Sequence, residues 1–570
     1  LRADLDVMAG EPGGAAEPWR RTHASSALIV AGLANGCIGY LPGADRYDEG
    51  GYECVCSHVV YGHTRPLARS AHGVLLHAAA AAVRSAWRRV ESAAGDHHHR
   101  LRARVIPSGF PESHDTYNGI GVERATGDVF YVLCAEEPNV AGRLYRYAVE
   151  TSSVQLIGDL SEACGESSIA NLSAHGGTDD GGDVDQLGDQ LEPIAQGKIH
   201  CTIADGVQGD GKLYLATHVG FYTYVDGRET LPSTGLPVGM SPYAGGHALR
   251  YDPHTSGFTS LGVANTPHGA EGYLAFAVDA TRGVGYGITW PAGYFIVVDL
   301  GWTRSSSSEA PPPPEVLGPI SRGGEAAEPV SGGDFRTLCR CIAVDPISGR
   351  AYVSTAEGEV LCYDREGDRT LTPLPGVPLR KAYFGRTFDV DSPGTMAWNW
   401  RQVLWCARER VFYGVHGNSG YLFRFNPAHA RLGAESFEIV ERLTSTPSRR
   451  RGDDDMFSYG YLGLAFFPDG RTLGYLTGGA TGAAVTALNK GASKGDEELH
   501  LVTYNVATGV RIDHGAIAAE DGGGTTCSPS YCNSLAIGND GSVYALARCA
   551  GDGTDRSELF VVDASDIRGL

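Results

Sequence analysis

The amino-acid sequence predicts an all-β fold, a seven-bladed β-propeller preceded by a small α/β segment. The chain has 78 glycines among 570 residues, which indicates many tight turns and argues against a helical bundle. From about Tyr117 onward a unit recurs: an apolar β run ending in Asp or Glu, a turn with Gly, a second β run, and an aromatic or apolar strand. Because one such unit cannot bury both faces of its sheet, radial repetition predicts a propeller.

The repeated unit defines the domain boundaries. Its seven copies begin with NGIGVERATGDVFYVL, KIHCTIADGVQGDGKLYLATH, YLAFAVDATRGVGYGITWP, CRCIAVDPISGRAYVS, RQVLWCARERVFYGVH, YLGLAFFPDGRTLGYLTGG and CNSLAIGNDGSVYALA. The propeller is therefore predicted to span residues 116–570, with residues 96–115 as a polar linker. Residues 1–95 contain an Ala-rich helical pattern, HGVLLHAAAAAVRSAWRRV, and are predicted to form the α/β segment.

Charge and hydropathy narrow the classes of partner. The formal net charge of −21 repels a phosphate backbone, so nucleic acid and anionic membrane surfaces are not expected partners. No run of about 18 apolar residues occurs, so no membrane span is predicted. The chain begins at Leu1 without a basic region and apolar stretch of the secretory type, which leaves its compartment open and suggests a fragment or a processed product.

The cysteines form no regular framework. There are 13 of them, and most are expected to be buried thiols. Cys527 and Cys532, in TTCSPSYC, flank a turn, and the sequence leaves open whether they form a disulfide, hold a metal ion or remain thiols. No other feature of the sequence assigns a structural metal.

The innermost strands of a propeller line its channel, so residues at their starts converge on the channel mouth. Aligning the units on the acidic residue that ends each inner strand gives the starting positions Tyr117 and Asn118, His200, Tyr273, Arg340, Trp400 and Arg401, Tyr461, and Cys532 and Asn533. His218 and His416 close second strands and are expected one layer further out. The pattern predicts a cationic and phenolic pocket in an acidic protein, although such groups could also simply cap a water-filled channel.

The predicted pocket suits an anionic ligand. His200 and Arg340, with Arg250 as a further candidate, could neutralise a carboxylate, while His or Tyr side chains move protons. The sequence contains no G-x-S-x-G elbow, no phosphate-binding loop and no H-E-x-x-H helix, which removes the usual support for a serine hydrolase, an NTPase or a zinc protease.

The blades resemble those of propeller polysaccharide lyases, the group that contains ulvan lyases and rhamnose–glucuronate lyases. The resemblance lies in KIHCTIADGVQGDGKLYLATH, GGHALRYDPHTSGFTSLG and GYLAFAVDATRGVGYGITWPAGYFIVVD. It implies β-elimination on a uronate glycan, with His200, His218 and Tyr273 as catalytic residues and Arg340 or Arg250 on the carboxylate. It also implies an anionic polysaccharide or oligosaccharide as partner, a secreted monomer, and no cofactor for catalysis.

Two other interpretations remain open. A non-catalytic propeller could bind glycan or protein at its mouth, using the side chains at the strand starts. The segment NGCIGYLPGADRYDEGGYE resembles the closing part of neutral ceramidase-like amidohydrolases, which implies Tyr40 and Glu11 as remnants of a zinc site. The histidine-bearing bulk of such a domain is absent, so a zinc amidase is the remote alternative.

Overall fold

The computed structural model describes residues 100–166, 191–225, 228–303, 310–320, 338–380, 398–417, 420–443, 445–446, 463–480, 497–520, 526–527, 529–550 and 555–567. These residues belong to one compact unit, His99–Leu570. The predicted α/β segment of residues 1–95, with Tyr40 and Glu11, lies outside the described residues, and so does Tyr461.

The first described strands build blades 1 and 2. Strand β1 (Leu101–Ile106) is the first strand of the described residues. Blade 1 contains β2 (Ile120–Val122), β3 (Val129–Leu133), β4 (Arg143–Ala148) and β5 (Ser153–Asp159), followed by the short helix α1 (Leu160–Ala163). Next come β6 (Glu192–Pro193), β7 (Lys198–Ile199), β8 (Ala204–Asp205), β9 (Leu213–His218), β10 (Thr223–Val225), β11 (Arg228–Thr230), β12 (Met240–Ser241), β13 (His247–Asp252) and β14 (Gly257–Val263). In blade 2, β7 and β8 share the inner position, and β9, β13 and β14 follow outward.

Blades 3 to 5 follow a hairpin formed by β15 (Asn265–Thr266) and β16 (Gly269–Ala270). Blade 3 contains β17 (Gly272–Asp279), β18 (Val284–Trp290), β19 (Tyr294–Asp299) and β20 (Glu315–Pro319). Blade 4 contains β21 (Ala343–Val344), β22 (Ala351–Ser354), β23 (Val360–Tyr363) and β24 (Leu371–Pro373). Blade 5 contains β25 (Trp400–Cys406), β26 (Val411–His416), β27 (Tyr421–Phe425) and β28 (Phe437–Arg442).

Blades 6 and 7 complete the ring. Blade 6 contains β29 (Leu464–Phe466), β30 (Thr472–Ala480), β31 (Glu497–Asn505) and β32 (Val510–Glu520), and β33 (Thr526–Cys527) pairs with β32. Blade 7 contains β34 (Pro529–Ile537), β35 (Val543–Ala550) and β36 (Asp555–Val562). Short 3-10 helices span Pro378–Arg380, Pro427–Ser436 and Ala564–Asp566. The prediction of an all-β, seven-bladed propeller is confirmed.

Strand β1 supplies the fourth strand of blade 7. It pairs antiparallel with β36, with Arg104 opposite Val561, and parallel with β32 of the neighbouring blade. The sequence predicts a linker over residues 96–115, but residues 101–106 of that range form this strand of the propeller. The arginines of LRARVI suggest a polar segment, yet they alternate with buried Leu101 and Ala103, as in a strand with one face in the core and one in solvent.

The acidic residue that ends each inner strand has a structural role. Asp279 Oδ1 accepts hydrogen bonds from the backbone N–H groups of Thr281 and Arg282, both at 3.1 Å, and Asp345 Oδ1 accepts one from Ile347 at 2.9 Å. These are the side-chain-to-backbone bonds by which Asp stabilises a tight turn. In blades 3 and 4 the recurring Asp is therefore a turn signal, whereas Asp205 of blade 2 accepts a hydrogen bond from the backbone N–H of Arg124 in blade 1.

The hydrophobic core lies between blades. One cluster joins side chains of blades 3, 4 and 5, and a second joins those of blades 1, 2 and 3. Aromatic side chains fill these interfaces; Tyr352 of blade 4, for example, packs edge-on against Phe425 of blade 5 at 5.1 Å. No helix in the described part of the chain is long and apolar enough to cross a membrane.

Among the described residues the cysteines are mostly thiols, and a disulfide between Cys527 and Cys532 is excluded. Cys527 is disulfide-bonded, whereas Cys532 is a buried free thiol. The Cys532 sulfur instead lies 3.3 Å from the Ser534 carbonyl oxygen, inside the core of blades 6 and 7. Cys339 and Cys341 are free thiols, as expected.

Truncation of Leu101 tests whether β1 holds the ring closed. Leu101 is 1% exposed, so Leu101→Ala should lower the free energy of unfolding by about 2–4 kcal/mol, through lost apolar contact and the cavity left behind. Arg102→Ala, on the exposed face of the same strand, should stay within about 0.5 kcal/mol of wild type. Denaturant unfolding compares the two variants, and equal stabilities would contradict this role of β1.

Candidate functional site at the channel mouth

The start of an inner strand and the end of the second strand lie at the same end of a blade, because the two strands run antiparallel. Lys198 pairs with His218, Gly272 with Trp290, and Trp400 with His416. Side chains from these positions in different blades can therefore meet at one mouth of the channel.

Two histidines of blade 2 form the centre of the site. The rings of His200 and His218 contact each other edge to face, with centroids 4.6 Å apart, and Tyr117 of blade 1 stacks on His200 at 4.9 Å. His218 also packs edge-on against Trp290 of blade 3 at 5.7 Å. His218 was expected one layer further out than His200, but the two side chains are in direct contact.

A glycine on the neighbouring blade makes room for this arrangement. A Cβ atom at Gly272 would lie 2.2 Å from His218 Nδ1, closer than any real contact. Only the absence of a side chain at this position lets strand β17 run past the imidazole.

Two cations flank the histidines. The Arg340 guanidinium carbon lies 5.4 Å from the Tyr117 ring centroid, and Lys198 Nζ lies 5.1 Å from that of Tyr222. The Tyr222 and His218 rings are 6.0 Å apart. We refer to these six side chains as the mouth cluster: Tyr117, Lys198, His200, His218, Tyr222 and Arg340.

Acidic residues connect the mouth cluster to a partly exposed rim, which is formed by His114, Asp115, Glu136 and Arg548. Lys198 Nζ donates a hydrogen bond to Glu136 Oε1 at 2.5 Å, and the same oxygen lies 3.1 Å from His114 Nδ1. Arg548 of blade 7 forms a buried ion pair with Asp115 and lies 3.1 Å from His114 Nε2. The Glu136 and His114 side chains are 43% and 31% exposed, whereas Lys198 is buried, so the rim is where solvent reaches the site.

Burial and the neighbouring cations keep both imidazoles neutral. Burial, with Lys198 and Arg340 nearby, lowers the pKa of His218 to about 3. Burial, together with His218, Arg340 and Lys198, lowers the pKa of His200 well below its usual value. A neutral imidazole can accept a proton, and neither ring nitrogen of His200 has a hydrogen-bond partner in the described part of the chain.

The lysine and the phenol of the cluster remain protonated. Burial opposes the charge of Lys198, but Tyr222 and Glu136 beside it raise its pKa above the usual value. Burial raises the pKa of Tyr222 to about 12. The site thus combines two fixed cations, two neutral bases and a phenol able to donate a proton.

Tyr273, predicted as a catalytic residue, lies outside the mouth cluster. Successive side chains of β17 point to opposite faces, so the residue after Gly272 turns away from His218. Its ring packs edge-on against Phe276 at 5.7 Å, in the core shared by blades 1 to 3. Burial alone raises the pKa of Tyr273, with no charged neighbour, so the structure makes it a core residue.

Two other predicted binding residues lie in blade 5, away from the histidine pair. The Trp400 indole Nε1 donates to the Cys341 carbonyl at 2.7 Å, and its ring packs in the core of blades 3 to 5. His416 is fully buried, and its ring centroid lies 6.0 Å from that of Trp398. Burial lowers the pKa of His416 to about 3.

The remaining predicted residues divide between two places. Asn118 and Arg401 are buried at strand starts, where Asn118 Oδ1 accepts a hydrogen bond from Gln402 at 3.3 Å. Arg250 lies on the third strand of blade 2 and donates to the Trp302 carbonyl at 2.9 Å, so it does not belong to the mouth cluster.

Sequence reasoning missed Lys198, Tyr222 and Glu136. Lys198 carried a usable signal, because it precedes His200 by two residues and alternation places both on one side of an extended chain. Tyr222 and Glu136 lie in loops after second strands, where no sequence period applies. The described part of the chain contains no group of three or more His, Cys, Asp or Glu side chains that could hold a metal ion.

Comparisons with known proteins identify no family for this chain. No protein-family model matches the chain, and no curated protein is significantly similar in sequence. The β-propeller domain of Cps50 (Swd1) from Myceliophteria thermophila superposes at 9% identity and a TM-score of 0.40, covering 80% of this chain and 99% of that one. A putative 6-phosphogluconolactonase from Bacteroides uniformis superposes at 12% identity and a TM-score of 0.39, covering 74% and 93%. The fold assignment rests on the strand pairing described above.

Neutral buried histidines should make the protein sensitive to acid. Since His218 binds a proton far more readily when unfolded, its contribution to stability is present above about pH 6.5 and is lost as the pH falls toward 3. His218→Gln should therefore reduce the slope of unfolding free energy against pH, between about pH 6 and pH 4, by up to about 1.4 kcal/mol per pH unit.

The matched control is His254→Gln, on the exposed turn after β13. Denaturant unfolding over the same pH range should give this variant the wild-type slope. An unchanged slope in His218→Gln would mean that His218 is not held neutral by burial.

Proposed function

We propose that this propeller is a polysaccharide lyase that cleaves a uronate-containing glycan by β-elimination at the mouth cluster. The observation that carries the proposal is a pair of buried neutral imidazoles placed among two buried cations and a protonated phenol. The resemblance of blades 2 and 3 to propeller lyases implies two of these groups, His200 and His218, but it implies Tyr273 as the phenol, and that residue lies in the core. The reaction needs no cofactor.

Each group has a role in the proposed reaction. Arg340 and Lys198 neutralise the uronate carboxylate, which makes the C5 proton more acidic. His200 accepts that proton, the C5–H electrons form the C4–C5 double bond, and the C4–O4 bond breaks. Tyr222 gives its proton to the departing oxygen, and His218 positions His200 through their ring contact.

The rim suggests how a carboxylate reaches Lys198. Glu136 already occupies one lysine hydrogen bond, and its side chain is partly exposed. A uronate carboxylate carries the same charge and shape, so it can replace Glu136 on Lys198 without leaving the buried ammonium unpaired. Such an exchange avoids the desolvation penalty that an empty cationic pocket would impose.

The second candidate is a propeller that binds glycan or protein at its mouth without chemistry. The observation that favours it is burial: His200 and His218 are 5% and 1% exposed, and Arg340 is 3% exposed. Side chains this enclosed can serve to hold blades 1, 2 and 4 together.

Paired tyrosine variants separate these candidates. If the lyase proposal is right, ultraviolet absorbance from unsaturated uronate appears on at least one of ulvan, gum arabic or pectin fragments. His200→Ala and Tyr222→Phe should each lower kcat by about 10²-fold or more, because each removes a proton-transfer group. Tyr273→Phe, which removes a buried hydroxyl outside the mouth cluster, should leave kcat within about twofold of wild type.

The results of these assays distinguish a lyase from a binding propeller. Glycan binding without absorbance change in the wild-type protein would support the binding propeller. Equal activity of Tyr222→Phe and wild type would remove Tyr222 from the mechanism, and full activity of His200→Ala would overturn the lyase proposal.

A further inference from the structure

A cleft of about 650 Å³ lies between the outer strands of blades 1 and 2, and none of its lining residues belongs to the mouth cluster. One wall comes from the end of β5 and helix α1, with Asp159 and Cys164. The other comes from β13 and β14, with Arg250, Phe258 and Ser260. A concave site of this size, with an aromatic ring and a few polar groups, is suited to a small ligand.

A serine in this cleft is hydrogen-bonded to a buried histidine. Ser260 lies on β14 and is half-buried, and its Oγ is 2.8 Å from His247 Nδ1 on the adjacent strand β13. The His247 backbone N–H donates to Thr217 Oγ1 at 2.8 Å, which fixes the residue against β9. Ser260 thus lines a cleft, while the side chain of its partner His247 is only 11% exposed.

A carboxyl group stands on the other side of the imidazole. His247 Nε2 lies 3.9 Å from Glu166 Oε1, which is longer than a hydrogen bond, and burial raises the pKa of this carboxyl group to about 7. Gln196 Nε2 donates to the same oxygen at 2.8 Å, and Tyr243 donates to Gln196 Oε1 at 2.8 Å. The acid is therefore held in position by a buried amide and a buried phenol.

The protonation state suits a general base. Burial lowers the pKa of His247 to about 4, so the imidazole is neutral near pH 7 and can accept the Ser260 proton. A serine hydroxyl in hydrogen-bond reach of a neutral imidazole, with a carboxyl group 3.9 Å from the other ring nitrogen, has the order of groups that activates serine on unrelated folds.

We propose that Ser260, His247 and Glu166 form a second active site, which hydrolyses small carboxylic esters in the cleft between blades 1 and 2. This site uses adjacent strands of one blade, so it needs no G-x-S-x-G elbow. It shares no residue with the mouth cluster, so the esterase proposal does not depend on the lyase proposal.

The proposed reaction has two balanced halves. Ser260 Oγ attacks the ester carbonyl carbon while His247 takes the hydroxyl proton; the bond to the alcohol oxygen then breaks, and that oxygen receives the proton from His247. Water attacks the resulting acyl-serine with His247 as base, which releases the carboxylic acid and restores Ser260. Glu166 positions the imidazole, and the Arg250 charge in the same cleft favours the anionic intermediate.

The test uses a fluorophosphonate probe and p-nitrophenyl acetate on the full-length protein. The probe should label wild type at Ser260, identified by peptide mass spectrometry. Ser260→Ala should lower the rates of labelling and hydrolysis by about 10²-fold or more. Ser256→Ala removes another cleft serine, one with no histidine contact among the described residues, and should keep both rates within about twofold of wild type.

A second pair of variants tests the positioning role of Glu166. Glu166→Gln should slow labelling by at least about tenfold, and Glu166→Asp should restore part of the rate, while their thermal midpoints match. Equal rates in Glu166→Gln and wild type would remove Glu166 from the site. Absence of label at Ser260 in folded wild-type protein, or unchanged hydrolysis by Ser260→Ala, would overturn the proposal. Uronate release by Ser260→Ala should stay at the wild-type level, which keeps the two sites distinguishable.

Discussion

The structure depends on one pairing, the antiparallel contact between β1 and β36. The ring is closed only when its last blade is complete, and the chain from β34 onward supplies blade 7 with only three strands. Strand β1 provides the fourth, so residues more than 450 positions apart in the sequence become neighbours, as in the 3.0 Å hydrogen bond from Arg104 to Asp563. Once blade 7 is complete, every blade is packed between two neighbours.

Closure of the ring also determines which side chains meet at the channel mouth. Tyr117, His200 and Arg340 come from three blades and are brought within ring contact by the circular arrangement alone. Further around the mouth, Arg548 of blade 7 reaches Asp115 and His114 of blade 1. The polar chain thus crosses the join between the last blade and the first, and loosening that join would disturb the electrostatics of the rim.

Burial gives the two candidate sites a common physical basis. In water each of their histidines would titrate near neutrality, but desolvation lowers the pKa of His218 and of His247 far enough to keep the rings neutral. At the mouth, Lys198 keeps its charge because Glu136 and Tyr222 compensate it. Neutral bases beside retained cations suit proton removal next to a carboxylate, whereas a neutral base beside a hydroxyl suits nucleophile activation.

The sequence by itself determined the number of blades, the turns and the starts of the inner strands, because strand alternation and Asp–Gly turn chemistry are local properties. It therefore identified Tyr117, His200, His218 and Arg340, which the structure brings together. Only the tertiary structure placed Tyr273 in the core and Tyr222 at the mouth, since a bulged strand and a loop decide which phenol faces the histidines. The role of β1 and the contact of Ser260 with His247 were likewise decided by pairing between strands, which no local pattern encodes.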